Sequence, residues 1–169
     1  MSVEWLDIVD EHDRVTGRDT RENIHKSGLY HRSTHVLLFN SRGELFVQLR
    51  SLAKDENAGL WDTSAAGHVD SGESYISCAV RELHEELGIS LPASALEHIA
   101  SFAPQQRNGY EFSQVFKACS DQTLVLQTEE IDDGRWVTPA ELDAWIDQNA
   151  HDFTDVFRDI WKSTDPNQT

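Results

Sequence analysis

Three glutamates, Glu82, Glu85 and Glu86, fall within five residues of a chain that already carries a formal net charge of −16. Like charges at helical neighbour spacing destabilise a helix, so the crowding needs a reason. Residues 74–87 have helical period, with Ile76, Ala79, Val80, Leu83 and Leu87 on one face and Gly88 as a natural stop. At about 100° per residue the three glutamates then share one sector beside the apolar stripe. Clustered carboxylates become tolerable when a hard cation sits among them, and Mg²⁺ takes oxygen ligands while keeping some of its waters. A metal lowers the pKa of bound water and stabilises a leaving oxygen. The glycine turn in Ser71-Gly72-Glu73-Ser74, just before the helix, lets backbone groups face a metal or phosphate. A solvated acidic helix face is the competing reading of three glutamates taken alone.

The elements that must carry this helix are legible in outline. Residues 4–10 read as a first strand, closed by a turn-like 11–17. Residues 34–40 form an apolar strand and 44–50 its alternating hairpin partner across Ser41-Arg42-Gly43. Residues 51–59 read as a loop, and 96–104 and 110–119 as later strands. A short strand through Trp136 precedes a helix with Thr138 as N-cap, Pro139 in the first turn and Glu141 at the capping-box position. A last helix covers about 153–163 and residues 164–169 read as a frayed tail. Mixed strands and helices with antiparallel hairpins argue for an α/β fold with a mixed sheet covered by helices.

Composition narrows the function. A length of 169 residues suits a single domain, taken as 1–163. The acidic field repels nucleic acid and anionic membrane, and a phosphorylated substrate as well unless cations intervene. No apolar run approaches the roughly 20 residues of a membrane span, and the acidic start lacks signal-peptide features, so a cytoplasmic location is expected. Cys78 and Cys119 fit no metal spacing and are expected as reduced thiols. The acids of residues 10–19 lack a calcium-loop pattern. Trp61 reads as a core residue and His84 as a surface one.

Spacing decides between the two readings of the glutamates. Gly67, five residues, Glu73, seven residues, then Arg81-Glu82-Leu83-His84-Glu85-Glu86-Leu87-Gly88-Ile89 resembles the Nudix box without a mismatch. The resemblance implies an α/β/α sandwich that hydrolyses a diphosphate linkage in a small molecule with Mg²⁺ or Mn²⁺. It implies Glu82, Glu85 and Glu86 as metal ligands, the Gly67 carbonyl as a further ligand, and Glu73 and Arg81 as a structural ion pair. The family also places an acid shortly before a Trp-containing strand. Glu130 fits that position, with Glu129 its rival, and either Glu85 or Glu130 is the candidate base.

From about Asp7 to Trp145 the chain is similar to the isopentenyl-diphosphate isomerase branch of the same superfamily. There, a cysteine before the Gly-His pair performs proton transfers; here that residue is Ala66. The isomerases hold a metal with three histidines and two glutamates. His25, His31, His68 and Glu111 match four of these, with one residue missing between the first two histidines, and the fifth falls on Gly109. Arg21, Arg50 and Lys54 fall where the isomerases hold the diphosphate, and His68 joins them as a substrate-binding candidate. The absent thiol and the intact box imply hydrolysis rather than isomerisation, with double-bond isomerisation or a non-catalytic binding module as the alternatives. Specificity is expected in loops such as 104–110.

Overall fold

A computed structural model describes residues 3–164. An N-terminal hairpin, β1 (Trp5–Val9) and β2 (Val15–Thr20), is followed by a short helix α1 (Arg21–Ser27). The main sheet contains β3 (His31–Phe39), β4 (Leu45–Arg50), β5 (Trp61–Asp62), β6 (Ala65–His68), β7 (Glu97–Phe102), β8 (Glu111–Cys119) and β9 (Ile131–Val137). Helix α2 (Tyr75–Leu87) joins β6 to β7, and α3 (Pro139–Gln148) and α4 (Asp155–Thr164) close the chain. The β3–β8 pair is parallel and the other pairs are antiparallel, so the sheet is mixed.

Alternation along β3 sends successive residues to opposite faces. Val36 and Leu38 pack with Ala79, Leu83 and Leu87 of α2. Leu37 packs on the other face with Leu142 of α3 and Phe157 and Ile160 of α4. Helices therefore cover both faces, as the α/β/α sandwich requires.

Local signals hold where they are chemical. Ser74 caps α2 by accepting from the Ser77 amide at 3.2 Å, and Gly88, with φ of 68°, ends it. Thr138 and Glu141 form the expected capping box of α3. The expected turn at 11–17 runs instead into β2, because Val15–Thr20 pairs with β1. Helix α1, capped by Thr20, has no strong apolar period and was not read from the sequence. Thr164 closes α4 with a hydroxyl bond to the Trp161 carbonyl at 2.8 Å, so it does not belong to the frayed tail. The remainder of that tail, 165–169, lies outside the described residues. Among the described residues no helix is long and apolar enough to cross a membrane.

One correction makes the site. Strands β3 and β4 were expected to pair as a hairpin along their length, yet they pair only at Phe39↔Leu45. The rest of that edge of β3 is taken by β6, with Ser33↔His68, Thr34↔Gly67, His35↔Ala66 and Val36↔Ala65 in register. The two strands splay apart and the Ala66–Gly67 backbone enters the gap. The N-terminal hairpin braces the segment that follows: Asp7 accepts from the Ser71 hydroxyl at 2.7 Å and the Gly72 amide at 3.1 Å.

Candidate active site

The splay opens into a cleft of about 1140 Å³ whose lining includes every candidate site residue except Glu73 and His31. Helix α2 delivers Glu82 and Glu86 to it buried and Glu85 at an exposed rim. The single acidic sector expected from helical period is thus split by depth. Glu82 lies against Gly67 so closely that a Cβ there would be driven into its carboxylate. Glycine is required at 67 for that approach. Glu86 Oε1 accepts the Ala66 amide at 2.9 Å and Gln48 Nε2 at 3.3 Å.

Burial raises both carboxyls. Glu82 is pushed up to about 9 by desolvation and by the neighbouring Glu86 charge, against the pull of Arg81. Desolvation pushes Glu86 up to about 7, opposed mainly by the Ala66 amide. The set is oxygen-only, acidic and open to the cleft, which fits a hard divalent cation.

These shifts give a stability prediction. A carboxyl whose folded pKa is raised contributes stability below its unfolded value, and loses it as pH rises through the folded value. In chelator, the melting temperature should therefore fall as pH rises from the ordinary carboxyl range, through about 7 for Glu86 and on to about 9 for Glu82; above pH 7, where most histidines are already neutral, the fall belongs to Glu82. Saturating Mg²⁺ should flatten that fall by favouring the ionised carboxylates. A flat profile in chelator, measured by thermal denaturation, would mean that the two carboxyls ionise freely.

Arg81 ties the cluster to the preceding loop. Its Nε and Nη2 donate to both Glu73 oxygens at 2.9 and 2.8 Å, Nη1 to Glu82 at 2.8 Å and Glu85 at 3.2 Å, and Nη2 to the His68 carbonyl at 3.1 Å. The Glu73 bond and burial act oppositely on Arg81, and its pKa is raised on balance.

On the opposite wall, Arg50 donates to buried Asp62 at 3.3 Å and to the Glu56 carbonyl at 3.0 Å, which holds the guanidinium in one orientation. Lys54 and Glu130 form an ion pair with each other. Glu129 is exposed beside them. Arg21 lies further out, with Asp55 at 3.5 Å. The 104–110 loop contributes Gln106 to Tyr110 to the lining; its Gly109 and Tyr110 have φ of 75° and 64°.

A second group meets at the cleft. One donor atom from each of His25, His31, His68 and Glu111 lies within 4.8 Å of the others. His31 Nδ1 bonds the Leu29 carbonyl at 2.8 Å, so Nδ1 carries a proton and a neutral ring has its lone pair on Nε2. That Nε2 faces Glu111 Oε1 at 3.3 Å, and His68 Nε2 faces the same oxygen at 2.9 Å. Burial opposes ionisation of Glu111, but the His68 charge and the His31 and His68 hydrogen bonds hold it well below the usual range. Three imidazoles and an ionised carboxylate converging in this way form a donor set that a transition metal would fit by displacing the ring protons that now face Glu111.

Sequence reasoning missed His35, Gln48 and Asp62, which are buried polar residues of the cleft wall. A signal existed in β3, where His31, Ser33 and His35 share one face at the polar start of a strand that ends in an apolar run. Trp61 packs against Trp145 at 5.0 Å between ring centroids, as a core residue should.

The sandwich with its carboxylate-lined cleft has known counterparts. The NUDIX domain model matches residues 29–158, so the chain belongs to the Nudix family. An uncharacterised Nudix hydrolase of Pseudomonas aeruginosa is 46% identical over 137 residues, covering 81% of this chain and 80% of that protein. A Photorhabdus laumondii protein named isopentenyl-diphosphate Delta-isomerase 2 is 33% identical over 162 residues, covering 93% and 90%. A crystal structure of the protein DR0079 from Deinococcus radiodurans superposes with a TM-score of 0.80 at 31% identity, covering 96% of this chain and 100% of that one.

Proposed function

We propose that this chain is a hydrolase, dependent on Mg²⁺ or Mn²⁺, that cleaves a diphosphate linkage in a small molecule such as a nucleoside diphosphate derivative. The observation that carries the reading is the placement of Glu82 and Glu86, buried side by side behind Gly67, with Glu85 at the rim of a cleft that also holds Arg50 and Lys54. Glu82, Glu85, Glu86 and the Gly67 carbonyl would hold the cation. When bound, it would supply an activated water and charge neutralisation at the phosphates.

The protein's own groups do the rest. Arg50, oriented by Asp62, binds the diphosphate through the donors its protein partners leave free. Lys54 cannot serve a phosphate fully while it holds Glu130. A phosphate that draws Lys54 away frees Glu130 to accept a proton from the attacking water. Glu85 is the rival base, restrained by Arg81. Arg21 and His68 flank the diphosphate. Preorganised charge of this kind supplies most of the rate gain in phosphoryl transfer.

The meeting of His25, His31, His68 and Glu111 favours a second reading, isomerisation of prenyl diphosphates, because these match four of the five residues with which the isomerases hold a metal, the fifth falling on Gly109. Ala66 stands against it, since a methyl group cannot give or take a proton. A panel of diphosphates with Mg²⁺, followed by phosphorus NMR, tests the hydrolase reading, and isopentenyl and dimethylallyl diphosphate should show no interconversion in the same assay. Efficient double-bond migration would overturn the reading of Ala66. No cleavage across a broad panel by folded, metal-loaded protein would favour a binding module.

A further inference from the structure

Thr154, just before α4, is 1% exposed and belongs to the cleft wall. Its amide donates to the Trp61 carbonyl at 3.0 Å, and Phe153 bridges Trp61 in parallel, so this segment lies alongside β5. The Thr154 hydroxyl oxygen accepts the Phe157 amide at 3.1 Å, which caps the helix. An amide N–H can only donate, so the hydroxyl's own proton is left for another acceptor. That acceptor is Asp62 Oδ1, at 3.2 Å. Asp62 is 5% exposed, and the Thr63 amide donates to the same oxygen at 2.8 Å. Its other oxygen, Oδ2, receives Arg50 Nη1 at 3.3 Å. Hydrogen bonds therefore run from the first turn of α4, through a buried carboxylate, to the guanidinium in the cleft.

How Asp62 is satisfied decides what Arg50 has left to offer. Arg50 Nε and Nη2 donate to the Glu56 carbonyl at 3.3 and 3.0 Å, and Asp62 takes only Nη1. One hydrogen on Nη1 and one on Nη2 remain for an anion in the cleft. Losing a donor is costly for a carboxylate as buried as Asp62. The replacement nearest to hand is a second guanidinium hydrogen, in the bidentate pairing that arginine and carboxylate favour. That hydrogen would come from the ones facing the cleft. We infer that Thr154 is a positioning residue for diphosphate binding: by donating to Asp62 it leaves the outer hydrogens of Arg50 free for phosphate oxygens. The last helix of the chain thereby sets the grip of a cation on the opposite wall from the carboxylates. This rests on the diphosphate reading of the cleft.

The probe is methylenediphosphonate, a diphosphate analogue whose bridge cannot be hydrolysed, and its Kd is measured by calorimetry with Mg²⁺. Thr154→Val keeps the side-chain shape, removes the proton and should weaken binding roughly three- to tenfold. Thr154→Ser keeps the hydroxyl and should restore most of the affinity. Valine also removes the cap of α4, so the control is Ile160→Val, which loosens the buried face of that helix without touching Asp62 and should bind as wild type does. In an Arg50→Ala background Thr154→Val should change Kd by less than about twofold, because the group it acts through is gone. A Thr154→Val protein with wild-type Kd, an equal loss in Ile160→Val, an undiminished effect in the Arg50→Ala background, or no binding by wild type would overturn the inference. The hydrolase reading survives any of these if wild type still cleaves a diphosphate. Thr154-dependent binding by a protein that cleaves no diphosphate would instead overturn the hydrolase reading and leave the inference standing. Should Thr154→Val or Arg50→Ala fail to fold, NMR of the wild type decides. The Thr154 hydroxyl proton must be protected from exchange with water and must shift together with the Arg50 Nη signals on adding methylenediphosphonate. A freely exchanging or unmoved hydroxyl proton overturns the inference.

Discussion

Glu86→Gln should abolish nearly all divalent-metal-dependent diphosphate cleavage, by roughly 10²-fold or more in kcat/KM, without unfolding the protein. The substitution is isosteric. The new amide oxygen can still accept the Ala66 amide and the Gln48 side chain, the two hydrogen bonds Glu86 makes now. The change removes a charge that burial already disfavours. In chelator the variant should therefore melt at the same temperature as wild type or higher, because the desolvation cost of the ionised carboxylate is gone. It should also show a smaller rise in melting temperature on adding Mg²⁺. The combination separates ligand loss from structural damage, since a damaged protein would lose stability together with activity. Wild-type hydrolysis by folded Glu86→Gln would sink the assignment of α2 as the metal-holding element.

How much of this was legible in the sequence follows from which forces act locally. The helix carrying Glu82, Glu85 and Glu86, its Ser74 start and its Gly88 stop depend on residues a few positions apart, and the structure places them as the pattern indicates. The exact spacing from Gly67 to Ile89 carried the family resemblance, and the NUDIX match and the sandwich bear it out. The splay of β3 from β4 was not legible. It arises because β6, more than twenty residues further on, competes for the same edge of β3, and hairpin reasoning weighs only the nearest partner. For the same reason His35, Gln48 and Asp62 went unread: they lie in three separate segments, and only the tertiary arrangement turns them toward one cavity. The difference in depth between Glu85 and its neighbours is likewise set by what packs on the helix. The approach of Gly67 to Glu82 and the Ala66 amide bond to Glu86 come from β6, a strand that the sequence pattern did not show.

Arg81→Ala should cost roughly 3 kcal/mol of stability, which at this chain length lowers the melting temperature by about 6–12 °C. The guanidinium grips Glu73 in a bidentate pair, bonds Glu82 and Glu85, and reaches back to the His68 carbonyl, so it joins the loop before α2 to the helix at several points. Its removal strands the Glu73 carboxylate, whose side chain is only 17% exposed, beside further acids in an acidic chain. Breaking a largely buried pair from one side is costlier than losing a surface pair, because the remaining charge keeps its desolvation penalty. Arg81→Lys restores the charge but not the planar fork, and should recover only part of the loss. Saturating Mg²⁺ should recover another part in Arg81→Ala, since a cation among Glu82, Glu85 and Glu86 offsets their repulsion, but it cannot replace the tie to Glu73. Thermal denaturation of the two variants with and without Mg²⁺ reads all of these effects. An unchanged melting temperature in Arg81→Ala would show that the network adds nothing beyond its geometry. Full rescue by Mg²⁺ would show that charge relief, rather than the brace from Glu73, is what Arg81 contributes.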